Sequence, residues 1–225
     1  MEKIAQIVLI TIILTNTTFG QAFEKGNWNI DLDLGIGAYG TQTTSTVALG
    51  TFSQTNTETD GAASSIVKLD VEYGISNRIG LGLRFGSSNY FIAEEDKEDT
   101  KSVKSKDVSL HVNFHLLQAD RNDLYVGLGL GFSNIEFLYQ NNAALAINSF
   151  KGPGSYFGLE IGDRIFFGDH VGVLIRLGYA GYSYKQMEAD LSDGAEALLG
   201  ASNVEWDIDF KGSGVNFGVG LALKF

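Results

Sequence analysis

In Trp28-Asn29-Ile30-Asp31-Leu32-Asp33-Leu34-Gly35-Ile36-Gly37-Ala38 every second residue is apolar, and those between are polar or glycine. A period of two is the pattern of a β-strand whose faces meet different surroundings. The alternation returns over Val67–Ile75, Ile79–Phe85, Val108–Leu116, Leu124–Phe132, Phe157–Phe167, Val171–Tyr179 and Val215–Phe225. Eight such segments predict an all-β chain.

The second phase decides which way those strands face. It is crowded with glycine, including Gly35, Gly37, Gly80, Gly82, Gly127, Gly129, Gly131, Gly158, Gly218 and Gly220. Glycine weakens a strand and offers nothing to pack, so a water-facing phase has no use for it. A closed barrel of about eight strands does, because its interior is barely wide enough for side chains. The glycine phase is therefore read as the lumen and the Leu/Val/Ile/Phe phase as facing lipid, the reverse of a soluble barrel. Eleven residues from Trp28 span about 36 Å. Tilted by about 40°, they rise roughly 28 Å, close to the apolar band of an outer membrane. Aromatic residues at the ends of the runs (Trp28, Tyr90, Phe91, Phe137, Tyr139, Phe166, Phe167, Tyr182, Tyr184 and Trp206) are expected to form interfacial girdles.

Connections alternate in length. Ser76–Arg78, Gln118–Asp123 and Gly168–His170 read as short turns, and 41–63, 92–104, 140–155 and 185–203 as long polar loops. This predicts an eight-stranded antiparallel transmembrane β-barrel with both termini periplasmic. Ten strands is the alternative, because Val204, Trp206, Ile208 and Phe210 fall out of phase with Val215 onward. Lys211-Gly212-Ser213-Gly214 is read as a bulge inside one long final strand.

Residues 1–20 read as a signal peptide, with Lys3, the apolar run Ile7–Leu14, and Thr18 and Gly20 before a cleavage site. The run is too short for a spanning helix, which needs about 20 residues. Residues 21–225 are then one barrel domain. A net charge of −11 excludes a nucleic-acid partner. The absence of cysteine excludes disulfides, thiolate metal sites and a lipoprotein anchor.

The final stretch Gly214-Val215-Asn216-Phe217-Gly218-Val219-Gly220-Leu221-Ala222-Leu223-Lys224-Phe225 resembles the last strand of the small outer-membrane barrels of OmpA, OmpX and OmpW type, in the form common in Bacteroidota. The resemblance implies residence in the outer membrane among lipid and lipopolysaccharide. It also implies that Phe217, Val219, Leu221, Leu223 and Phe225 are an assembly signal for the barrel-assembly machinery.

Nine charged residues fall on the inward phase: Asp31, Asp33, Lys68, Asp70, Glu72, Arg84, Glu160, Arg164 and Arg176. Charges in a narrow lumen must be paired or watered. Pairs Glu72–Arg84 and Glu160–Arg176 are expected, forming a salt-bridged plug rather than a selective pore. His111 and His115 share that phase with Asp107, Ser109 and Asn113. They stand about 13 Å apart, too far to hold one metal. Ser109 precedes His111, the reverse of the His-x-Ser-Asn order of lipid A deacylases. No catalytic, cofactor or metal site is expected.

Mixed charge over 94–106 and the acids Glu188, Asp190, Asp193 and Glu196 read as solvated loop surface. Ala143-Ala144-Leu145-Ala146-Ile147 would pack under its own loop or touch a protein partner. Asp163 contradicts the pattern by falling on the lipid phase. It is placed at the membrane interface near the Gly168 turn, with a local bulge as an accompanying expectation. The functional expectation is a non-enzymatic barrel with a structural or surface-interaction role through its extracellular loops; the alternative is a narrow channel or conduit for a small or apolar solute.

Overall fold

A computed structural model describes residues 21–49, 51–117, 119–140, 147–192 and 204–225. Residues 1–20, read above as a signal peptide, and Gln118, Ala143–Ala146, Asp193, Glu196 and the Trp206 side chain lie outside the described residues. The strands are β1 (Trp28–Leu49), β2 (Phe52–Gly74), β3 (Ile79–Tyr90), β4 (Thr100–His115), β5 (Asn122–Tyr139), β6 (Ile147–Phe166), β7 (Val171–Tyr184), β8 (Glu188–Leu191) and β9 (Val204–Lys224).

Eight strands close a ring. Each of β1 to β7 is antiparallel to the next, and β9 joins β7 to β1. The four-residue β8 stands outside the ring. It pairs with β6 over Ile147–Lys151, beyond the stretch of β6 from Gly154 that pairs with β7. Pro153 falls in the gap between these pairings, where a residue without an N–H is tolerated.

The faces lie as the alternation predicts. Leu34, Leu110 and Leu177 are 64%, 58% and 54% exposed, and large apolar side chains are exposed on every strand of the ring. A soluble surface does not carry such a continuous belt. Inside, glycines make room for their neighbours. A methyl group on Gly37 would stand 2.5 Å from the Tyr39 hydroxyl, and one on Gly82 would stand 2.5 Å from the His111 ring. The lumen is thus filled by a few large side chains lying across glycine.

Three expectations are corrected. The stretch 41–63 is not a loop, since β1 and β2 stay paired up to Leu49 and Phe52. Threonine suits that extension: its branched side chain favours strands, and Thr44 meets Thr57 at 3.3 Å and Thr46 meets Thr55 at 3.0 Å across the ladder. Likewise β4 begins at Thr100 and β6 at Ile147, inside the stretches read as loops.

The bulge at Lys211–Gly214 is absent as well. β9 runs in unbroken register against β1 and β7, so Ile208 and Phe210 simply point inward. They do so because the lumen turns apolar there. The same fact overturns most of the girdle. Trp28 and Phe167 face outward and Phe91 is exposed just past the end of β3, beside the cavity of the hairpin end, but Tyr182, Tyr184 and Phe166 are buried inside. Tyr90, Phe137 and Tyr139 pack against the inner cluster. Period two told the strands' faces but not that the lumen's character changes along its length.

Candidate functional site

Two ends of the barrel differ. The turn end carries the short connections and the C-terminus; the hairpin end carries the extended strands. Above the turn end lies a layer of charge. Arg164 donates to Asp31 at 2.8 Å, to Asp123 at 2.7 Å and to Glu72 at 2.5 Å. Its guanidinium also lies 4.6 Å above the Tyr125 ring. Arg84 forks onto both Glu160 oxygens at 2.6 Å and meets Asp70 at 2.5 Å. Arg176 meets Asp33 at 2.8 Å and Asp70 at 2.5 Å as ion pairs, and donates to the Tyr125 hydroxyl at 3.2 Å. Lys68 donates to Asn216 at 2.9 Å.

The side chains in these ion pairs are between 0% and 7% exposed. Arginine suits the place, since its planar fork satisfies several carboxylates at once. All nine charges read from the sequence therefore converge in one lumen; of the two expected pairs Glu160–Arg176 forms and Glu72–Arg84 does not. Register sets Asp70, not Glu72, opposite Arg84; Glu72 faces Gly82 and turns to Arg164 and His115. Glu160 does lie 3.6 Å from Arg176, while its close partner is Arg84.

Sequence reasoning missed two participants. Asp123 was assigned to a turn, yet it opens β5 and bonds both Arg164 and His115. His115 faces Asp123 at 2.5 Å and Glu72 at 3.0 Å, one ring nitrogen to each. The second is Phe23, upstream of the first alternation, whose ring stacks on His115 with centroids 3.3 Å apart. Residues 21–27 lie across the turn end and are pinned around its rim. Ala22 donates to Ala119 and Gly26 to Gly74, each at 2.8 Å, and the Lys224 ammonium donates to the Gln21 carbonyl at 2.8 Å. Gly26 has φ +94°, a conformation that costs glycine little and other residues more.

Ser109 and His111 are buried without a hydrogen-bond partner for the serine hydroxyl or either ring nitrogen, so no serine–histidine pair forms. Among the described residues no group of three or more His, Cys, Asp or Glu is arranged to hold a metal. Asp163 stands near the turn end between Leu124 and Ile175. Its pairings with β5 and β7 show no register shift, so the bulge offered for it is absent.

Above the charges comes a layer of tyrosine. Tyr39 meets Tyr182 edge-on at 6.0 Å, Tyr156 meets Tyr182 at 5.4 Å, and Tyr184 bonds Ser133, which donates to Asp107 at 2.5 Å. Higher still, Phe137 and Phe210 meet edge to face at 5.3 Å, and a cavity of about 390 Å³ opens between the strands. Outward side chains on β1 change in step, from apolar up to Ala38 to Gln42, Thr44 and Thr46 beyond.

A buried ionic core inside an unbroken apolar belt is the construction of a membrane-spanning barrel. The family model of the outer membrane protein beta-barrel domain matches residues 17–225. The chain belongs to that family. This outer-membrane barrel resembles the outer membrane protein OprG from Pseudomonas aeruginosa at 16% identity, covering 93% of this chain and 99% of that one, with a TM-score of 0.59. It is also similar to the N-terminal β-barrel domain of OprF from Pseudomonas aeruginosa (11% identity, 90% and 99% covered, TM-score 0.47). A third likeness is to the outer membrane protease OmpT from Escherichia coli (10%, 94% and 100%, 0.48). At these identities the likeness is one of fold. No curated protein sequence matches the chain. Family and fold place this barrel in the outer membrane of the cell.

Proposed function

We propose that this barrel is a non-enzymatic protein that works through its extracellular end, as a surface-interaction platform on a closed, rigid stem. Residues 1–20 are removed as a signal peptide, both termini and the short turns are periplasmic, and the hairpin end is extracellular. Phe217, Val219, Leu221, Leu223 and Phe225 are the signal that the assembly machinery reads. The observation that carries the proposal is the lumen: its ion pairs are buried and its periplasmic mouth is filled by Phe23. The length of β1 supports it too. Twenty-two residues tilted by about 40° rise about 55 Å, roughly twice an apolar band of about 25 Å. Half of that strand therefore stands above the membrane.

Single-channel recording in planar bilayers tests this. The full mature chain is expected to give no conductance steps. Steady steps at neutral pH would overturn the closed stem in favour of the second reading, a narrow conduit for a small or apolar solute. That reading has one observation behind it, the cavity of about 390 Å³ at the hairpin end. It ranks second because a path inward from the cavity meets the tyrosine layer and then the ion pairs.

A further inference from the structure

The cavity at the extracellular end has a composition of its own. It lies between the β1–β2 hairpin and the segment joining β3 to β4, and its floor is the top of the lumen. Aromatic side chains dominate that floor and one wall: Tyr90, Phe91, Phe137, Tyr139 and Phe210. Phe137 stands edge to face with Phe210. The opposite wall brings Glu58 and Asp60 inward from β2, and Asp96 from the short turn of helix at Glu94–Asp96. Among the described residues no lysine, arginine or histidine lines the cavity.

These three carboxylates lack ionic partners among the described residues. Glu58 accepts a hydrogen bond from Asn56 and Asp60 one from the Gly61 backbone; neither neighbour carries charge. Lys97, beside Asp96 in sequence, is paired with Glu94 instead. Contrast the lumen below, where six carboxylates are gathered around three arginines. The acids of that charge layer are answered by arginine, and the buried Asp107 above it by the Ser133 hydroxyl, whereas Glu58, Asp60 and Asp96 face the cavity without a base.

We propose that the cavity is a binding site for a small organic cation with an aromatic or apolar body, such as a quaternary or aryl-alkyl ammonium. Aromatic faces attract a cation through the ring quadrupole and cover its apolar part, while nearby carboxylates supply the opposite charge. A neutral solute would gain only the apolar wall, and an anion would be repelled. This deepens the reading of a closed barrel acting through its extracellular end, on which it rests. The volume suits a molecule of one ring and a short substituent rather than a polymer.

The test uses the full mature chain in nanodiscs of zwitterionic phosphatidylcholine at low salt. Benzyltrimethylammonium, benzyl alcohol and benzoate are titrated by calorimetry as cationic, neutral and anionic probes of similar size. The cation is expected to bind one site about tenfold more tightly than either other probe, and less tightly at high salt. Glu58→Gln, Asp60→Asn and Asp96→Asn together should abolish the preference. Phe137→Leu should weaken the cation about threefold or more. Unchanged resistance to surfactant on a gel verifies that each variant is folded. Equal binding of the three probes, no binding, or a preference that survives the triple substitution would overturn the cation site. Conductance of the same protein in planar bilayers would overturn the closed-lumen reading separately, whatever the probes do.

Discussion

The lower and upper halves of the lumen solve one packing problem with different chemistry. In the half nearer the turn end Arg84, Arg164 and Arg176 gather six carboxylates, two of which also hold His115, with almost no exposure. In the half nearer the hairpin end the inward positions hold tyrosine, phenylalanine and isoleucine, with Met187 packed among them. The lower half lies within the lipid belt, where the wall is dry outside and the ring is narrow. A charge there is tolerable only when ringed by opposite charge, and the result specifies one arrangement of partners. The upper half passes from the top of the apolar belt, level with Val67, Phe157 and Val215, to polar outer positions such as Thr44 and Thr46, and rings meeting edge to face fill it while leaving space among them. One half therefore holds the barrel in a single state, and the other is free to carry a ligand.

The comparison breaks most visibly at Arg164. Replacing it with leucine removes the arginine that Asp31, Glu72 and Asp123 share in the lumen, leaving them to His115 and a more distant Arg176. Loss of one partner from a buried ionic cluster costs about 3–5 kcal/mol, to be read from urea unfolding in lipid vesicles. A loss below about 1 kcal/mol would show that the carboxylates are watered rather than held by arginine.

A substitution on the outer face sharpens the assignment of the two environments. Leu128 is 44% exposed in mid-strand, and Leu128→Arg should cost about 2–4 kcal/mol because the charge meets hydrocarbon. Asn113→Leu removes a donor to Glu72 from the lumen. It should cost about 1–3 kcal/mol for the unsatisfied carboxylate. Stability of Leu128→Arg equal to that of the parent, together with damage from Asn113→Leu, would mean that the faces are exchanged.

Tyr182→Leu tests the upper half. It trims one buried ring from a cluster with room to readjust, so the expected cost is about 1–2 kcal/mol in the same unfolding measurement, well under that of Arg164→Leu. An equal cost at both sites would remove the distinction between halves.

Asp163→Leu has the smallest expected effect. The residue sits near the turn end on the outer face, with no bulge behind it. Its loss should change stability by less than about 0.5 kcal/mol and leave the protein monomeric by light scattering. Dissociation of a native complex on that substitution would instead identify Asp163 as a subunit contact.

Sequence alone determined the membrane-level part of each strand, its faces, the eight-fold closure and the membrane, because each follows from a period of two and from glycine, which local chemistry writes directly into the chain. It also brought Asp31, Asp33, Lys68, Asp70, Glu72, Arg84, Glu160, Arg164 and Arg176 to one face. Their partners were decided by the tertiary structure. A contact such as Asp31 to Arg164 joins β1 to β6 across the lumen, through a ring closure that no single strand encodes. Asp123 and Phe23 joined the site for the same reason, one from the edge of a turn and one from before the first strand. The inward course of Tyr182, Tyr184 and Phe210 also awaited the fold. An aromatic residue near the end of a strand serves equally at a lipid interface or inside a widening mouth, and only the unbroken register of β9 and β7 decides between them.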